Sequence, residues 1–134
     1  MKKIMVTGTF DGLHEGHINY FSQAKEEGDY LAVVVARDVT AEKEKGRKPH
    51  FNENERLAAV RKLNIVDEAV LGDEEDKLKS VERLMPDVLL LGYDQRVDME
   101  RLKTDLKNRG LTLTIKRAKA FHPERYKSSL MRRS

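Results

Sequence analysis

The run YLAVVVA at residues 30–36 and the run VLLL at 88–91 show no alternation of polar and apolar side chains. Strands of that kind must be covered on both faces, as interior strands of a parallel sheet flanked by helices are. The intervening segments supply those helices. Residues 3–8 form another short apolar strand, and a helical pattern starts near Glu15, with Ile18, Tyr20, Phe21 and Ala24 facing inward and Gly28 as a left-handed end cap. The first unit is therefore β-α-β. Asp38 to Phe51 reads as a polar loop. Asn52 followed by Glu55 matches a capping box for a helix carrying Leu57, Val60 and Leu63, and a short strand follows at 68–71. Asp73 is placed to cap a helix with the stripe Leu78, Val81, Leu84 and Met85, stopped by Pro86. Asp98 caps the next helix, with Met99, Leu102 and Leu106, and Gly110 closes it. Residues 111–115 then form the last strand, and 128–133 a final helical turn or two. The alternation predicts a doubly wound α/β fold of about five parallel strands, a single domain over residues 1–134, with its ligand cleft at the carboxyl ends of the strands where the winding reverses.

Composition narrows the chemistry. The 134 residues include no cysteine, which excludes disulfides, thiolate zinc, iron–sulfur clusters and cysteine nucleophiles. No apolar run approaches the ~18 residues of a membrane span, and Met1-Lys2-Lys3 leads directly into a strand without a cleavage site, so a soluble cytoplasmic protein is expected. Residues 116–134 carry seven of the 26 basic side chains and one of the 23 acidic ones, and Lys43 to Lys48 form a second basic knot. Such clusters suit phosphate ligands or nucleic acid, or simply a solvated surface. Only 6% of residues are aromatic and none is Trp, too few for the stacking platform of a single-strand binder, so no nucleic-acid partner is expected.

The segment GTFDGLHEGH at residues 8–17 joins the first strand to the first helix, where folds of this class bind phosphate. It is neither G-x-G-x-x-G nor a P-loop, which argues against hydride transfer and P-loop hydrolysis. It offers instead two imidazoles, His14 and His17, three positions apart at a helix start beside unpaired backbone N–H groups. Gly16 between them would let a phosphate approach the backbone. A metal pair, helix-capping surface histidines and phosphate-binding catalysis are the three readings these residues permit, and no further ligand of zinc spacing follows.

The same segment resembles the H-x-G-H motif of the cytidylyltransferase-like nucleotidyltransferases. Further marks of that family stand in order: Asp38, the Lys43 to Lys48 knot, Arg56 in NENER, GYDQ at 92–95 and RYKSSLMR at 125–132. Glycerol-3-phosphate cytidylyltransferases resemble G-D-D-W at the fourth of these, whereas GYDQ and the acidic GDEED at 72–76 look more like the small archaeal-type FAD synthases, which adenylate FMN. The resemblance implies a Rossmann-like fold and attack by an acceptor phosphate on the nucleotide α-phosphorus, with pyrophosphate expelled. It implies His14 and His17 as catalytic donors, Thr9, Phe10, Gly16, Asp94, Arg125, Ser128 and Ser129 around the nucleotide, and Asp38, Lys43, Lys45 and Arg56 around the acceptor. Asp11 would orient the site or meet a Mg²⁺ carried on the triphosphate, and a homodimer is expected by analogy. Base choice is placed at Gly92 to Gln95, where exposed backbone groups and the Gln95 amide would match a base edge and changes at Tyr93 or Gln95 would alter it. The alternatives are a cytidylyltransferase using CTP and glycerol phosphate or another polyol or sugar phosphate, and a non-catalytic nucleotide- or nucleic-acid-binding module.

Overall fold

The computed structural model describes residues 1–121. Its elements are β1 (Lys3–Gly8), α1 (Glu15–Glu27), β2 (Tyr30–Val35), α2 (Asp38–Lys45), α3 (Glu53–Arg61), β3 (Glu68–Leu71), α4 (Lys79–Leu84), β4 (Val88–Leu91), α5 (Met99–Asn108) and β5 (Thr114–Arg117). All strand pairs are parallel, in the order β3-β2-β1-β4-β5. The chain winds outward from β1 through β2 to β3 and returns to the other side of β1 for β4 and β5. The winding thus reverses between β1 and β4, which is where a doubly wound sheet opens a ligand crevice.

Successive strand side chains face opposite ways, and here both faces are used. Ile4, Val6, Leu31, Val33, Val35, Val88 and Leu90 pack with Phe21 and Ala24 of α1 and with Leu57 and Val60 of α3. Met5, Ala32, Val34, Leu89 and Leu91 pack with Val81 and Leu84 of α4 and Leu106 of α5. Each wholly buried aliphatic side chain contributes about 1.5–3 kcal/mol relative to exposure, so the two apolar layers hold the three-layer sandwich together. No helix among the described residues is long and apolar enough to cross a membrane.

At the end of the sheet away from the crevice, three aspartates each precede a strand and accept an N–H from its neighbour. Asp29 takes Lys2 N–H at 3.0 Å, Asp67 takes Leu31 N–H at 2.8 Å and Asp87 takes Lys3 N–H at 2.8 Å. The first precedes β2, the second β3 and the third β4.

Several local expectations are corrected. Asp38–Lys45 is a helix, closed by Gly46 at φ 75°; only Ala41 of it is buried, so no apolar stripe announced it. Gly28 is extended, not left-handed. It is glycine for space, because a Cβ there would lie 2.7 Å from the Lys2 carbonyl oxygen. Ile18 is 39% exposed and off the inner face of α1. Asp73 binds the N–H groups of Glu75 and Asp76 in a turn ahead of α4, whose N-cap is Leu78. Met85 leaves the α4 stripe as a left-handed, 68% exposed end residue. Finally, β5 begins at Thr114, since Gly110 (φ 71°) and Leu111 close α5 in a Schellman motif, with Gly110 N–H on Lys107 O and Leu111 N–H on Leu106 O.

Candidate active site

The turn after β1 is built around one residue in an uncommon conformation. Phe10 has φ 54°, a left-handed value that costs a non-glycine residue energy and needs support from its surroundings. The support is packing. Its ring is 4% exposed, lies 5.2 Å from the Phe21 ring and meets the His17 ring edge-on at 5.3 Å between centroids. Room for it exists because residue 8 has no side chain, a Cβ there falling 2.7 Å from the Phe10 ring.

The histidine pair then starts α1 as a mutual cap. His14 Nδ1 accepts Gly16 N–H at 3.0 Å, and His17 Nδ1 accepts His14 N–H at 3.3 Å. Imidazoles here do what Ser and Glu do in an ordinary capping box. Because each Nδ1 is an acceptor, the proton of each neutral ring belongs on Nε2, which is left as a donor. The rings stack 3.9 Å apart at 25°. Burial first, then the charges of His14 and Lys45, pull His17 down to about 4, so at neutral pH it is an uncharged N–H donor. Gly16 has a role other than the expected phosphate approach: a Cβ there would lie 2.8 Å from the His14 ring. The Gly16→Ala variant is accordingly expected to fold but to swing His14 out of its cap, lowering turnover about tenfold or more, read in steady-state kinetics beside an unchanged circular dichroism spectrum.

Both histidines face a cleft of about 690 Å³ across the carboxyl ends of β1 and β4. Of the expected residues it brings together Thr9, Phe10, Asp11, Gly16, Lys45 and Asp94 on this wall. It takes in Tyr93 and Gln95 of the GYDQ segment as well, and adds Asn19, Gln23 and Lys119, which no motif had flagged. The Gln23 amide donates to Asn19 Oδ1 one turn back on α1, accepts Lys119 N–H and donates to Lys119 O, tying the segment after β5 across α1. Arg125, Ser128 and Ser129 lie outside the described residues.

Other expected residues are elsewhere. Lys43 and Lys45 sit two positions apart on α2, hence about 200° apart around it, and only Lys45 reaches the cleft. Arg56 is 1% exposed and its guanidinium is spent inside the protein, donating to the carbonyls of Phe51, Thr9 and Ala36 at 2.8–2.9 Å and to Asp38 at 2.7 Å. It joins the turns after β1 and β2 to the start of α3 and does not face an acceptor; Asp38 is its partner. Asp11 receives the N–H groups of His50 and Phe51 at 2.8 and 2.9 Å; burial opposes its ionisation, but those two bonds prevail and its pKa is lowered. Among the described residues, no group of three His, Asp or Glu could hold a metal ion.

A doubly wound parallel sheet with a self-capped histidine pair at its switch point defines a nucleotide-phosphate-binding α/β protein. The cytidylyltransferase-like family model matches residues 5–134, and the chain belongs to that family of nucleotidyltransferases. It is 44% identical to the FAD synthase of Thermoplasma volcanium, over 99% of this chain and 93% of that one. To the FAD synthase of Methanobrevibacter smithii it is 46% identical, over 96% of this chain and 86% of the other. Among solved structures it is similar to the lipopolysaccharide core biosynthesis protein from Thermoplasma volcanium, at TM-score 0.87 and 45% identity over 91% of this chain and 99% of that one. It shares the fold of the pantoate-beta-alanine ligase of Francisella tularensis, at TM-score 0.60 and 17% identity over 90% of this chain and 60% of that one.

Proposed function

We propose that the protein is a FAD synthase, transferring the adenylyl group of ATP to FMN. The observation that carries the reading is the paired histidine cap in the switch-point cleft, in a chain whose full-length relatives are FAD synthases. An FMN phosphate oxygen attacks the α-phosphorus, the bond from that phosphorus to the bridging oxygen breaks, and pyrophosphate leaves. The chain needs no covalent nucleophile for this; it needs donors held where charge develops. The Nε2–H groups of His14 and His17 supply them, with the amino end of α1 adding its dipole. Thr9, Phe10 and Gly16 offer backbone to the nucleotide, Asp94 meets the nucleoside, and Lys45 receives the FMN phosphate. Arg125, Ser128 and Ser129 keep the role of holding the outer phosphates. A divalent cation, Mg²⁺ in the first instance, enters with the triphosphate. The described side chains do not form a cage for it, Asp11 being engaged by the 50–51 backbone. A cytoplasmic homodimer belongs to the same reading, its mass to be read by light scattering.

The test is incubation with ATP or CTP, Mg²⁺ and FMN or glycerol phosphate, following pyrophosphate and separating flavins by chromatography. FAD formed from ATP is the expected result; CDP-glycerol formed with FMN untouched overturns the reading. Within the same assay, Lys45→Gln is expected to raise the Michaelis constant for FMN about tenfold and that for ATP much less, while Lys43→Gln changes neither. Equal effects of the two lysines would return both to surface charge.

A further inference from the structure

The turn Gly92 to Gln95 follows β4 at the mouth of the cleft, and two side chains hold it, its own Gln95 and the distant Arg117. Gln95 uses both ends of its amide within the protein: Oε1 accepts Gly92 N–H at 2.7 Å, and Nε2 donates to the Thr7 carbonyl at 3.1 Å, near the end of β1. Arg117, from the last residue of β5, donates to the carbonyls of Gly92 at 2.9 Å and Gln95 at 2.8 Å. The backbone closes on itself as well, Gln95 N–H to Gly92 O at 3.2 Å. These bonds fix the Gln95 amide at the edge of the cleft, which it lines, so that its first role is to hold the turn, whatever its remaining N–H and lone pair meet. All four residues of the turn line the cleft, and the two between the anchors stand out furthest, Tyr93 being 50% exposed and Asp94 exposed, whereas Arg117 does not line it.

We infer that Gln95 and Arg117 are positioning residues for the donor nucleotide: they pin the 92–95 turn to β1 and β5 so that Tyr93 and Asp94 form a fixed wall for its nucleoside. The inference rests on the proposed reaction for the assignment of that wall, since Lys45, with the acceptor phosphate, stands on the β2 side of the histidines and the nucleoside takes the other side. Pinning matters because a wall that must be ordered at each binding event spends affinity on that ordering, while a turn held by four protein hydrogen bonds is ordered beforehand. Thr7 lies in β1 and Gly92 directly follows β4, the two strands that flank the switch point, so the clamp also sets the width of the cleft there.

The experiment compares Gln95→Ala, Arg117→Met, Arg117→Lys and the Gln95→Ala/Arg117→Met double variant. Each single loss is expected to weaken ATP binding about tenfold by calorimetry without FMN, and to raise the Michaelis constant for ATP in parallel, with kcat and the constant for FMN within about threefold. Arg117→Lys should restore part of the loss, and the double variant should cost less than the sum because both anchors hold one turn. If Arg117→Met leaves ATP affinity unchanged while Gln95→Ala weakens it, Gln95 touches the nucleotide itself and the inference is wrong. Parallel loss of kcat and both Michaelis constants together with a lowered Tm would make the clamp merely structural, and also overturns it. Should Gln95→Ala fail to fold, Gln95→Glu keeps the acceptor for Gly92 but cannot donate to Thr7, and tests the same bond. A wild-type protein that binds ATP and forms no FAD would defeat the proposed reaction while leaving the calorimetric comparison decisive for the turn.

Discussion

His14→Asn and His17→Ala are each expected to lower turnover about a hundredfold, the worth of one well-placed donor of about 3 kcal/mol to a developing phosphate charge. Asparagine at position 14 is chosen because the imidazole also caps α1, and alanine there would add about 1 kcal/mol of lost helix start to the kinetic effect. Asn keeps a cap and removes the Nε2–H, so stability should hold while activity falls. Single-turnover pyrophosphate release is the measurement, and near-wild-type rates in either variant would remove the histidines from the chemistry. The pH dependence follows from His17. Its folded value is lowered from 6.5 to about 4, chiefly by burial, so the stability it confers is complete above 6.5 and declines as the pH falls toward 4. Protonation at Nδ1 would deprive His14 N–H of its acceptor and open the cap. Proton resonances of the His17 ring should therefore show no transition near 6.5 and one near 4, with activity lost along the same curve.

Arg56→Ala is expected to destabilise the protein by about 3 kcal/mol or more, because removing one partner of a buried charged network leaves the others unsatisfied. Three carbonyls, of Thr9, Ala36 and Phe51, would lose a charged donor at once. The partly solvated Asp38 contributes less, its side chain being 43% exposed. Urea unfolding at pH 7 reads the loss, and Arg56→Lys should recover little of it, since one ammonium cannot span directions set by a planar fork. A shift below about 1 kcal/mol would show that water replaces the guanidinium without strain.

The elements written in strong local patterns were legible. Residues 3–8, 30–35, 68–71 and 88–91 are strands, and Asn52 with Glu55 and Asp98 start helices where their side chains predicted. What escaped was decided by contacts distant in sequence or by weak burial. Helix α2 hid in charged residues because it covers the core with Ala41 alone. The family motif marks Arg56 and GYDQ as important without saying that the first is a buried tie and that Gln95 is bonded back to β1, since a side chain's partners 20 to 88 residues away leave no local trace. Asn19 and Gln23 read as the outer face of an amphipathic helix, and only the returning chain at Lys119 makes them part of a cleft.

The aspartates ahead of β2, β3 and β4 hold the strands in step at the end remote from the cleft. Alignment of neighbouring strands is therefore settled without help from the loops that meet substrate. Those loops are free to lengthen, shorten or change composition over evolutionary time while the sheet stays in place. The corresponding engineering move is to exchange segment 38–51 for that of a relative with a different acceptor, leaving the aspartates intact, and to expect a new specificity on an unchanged scaffold.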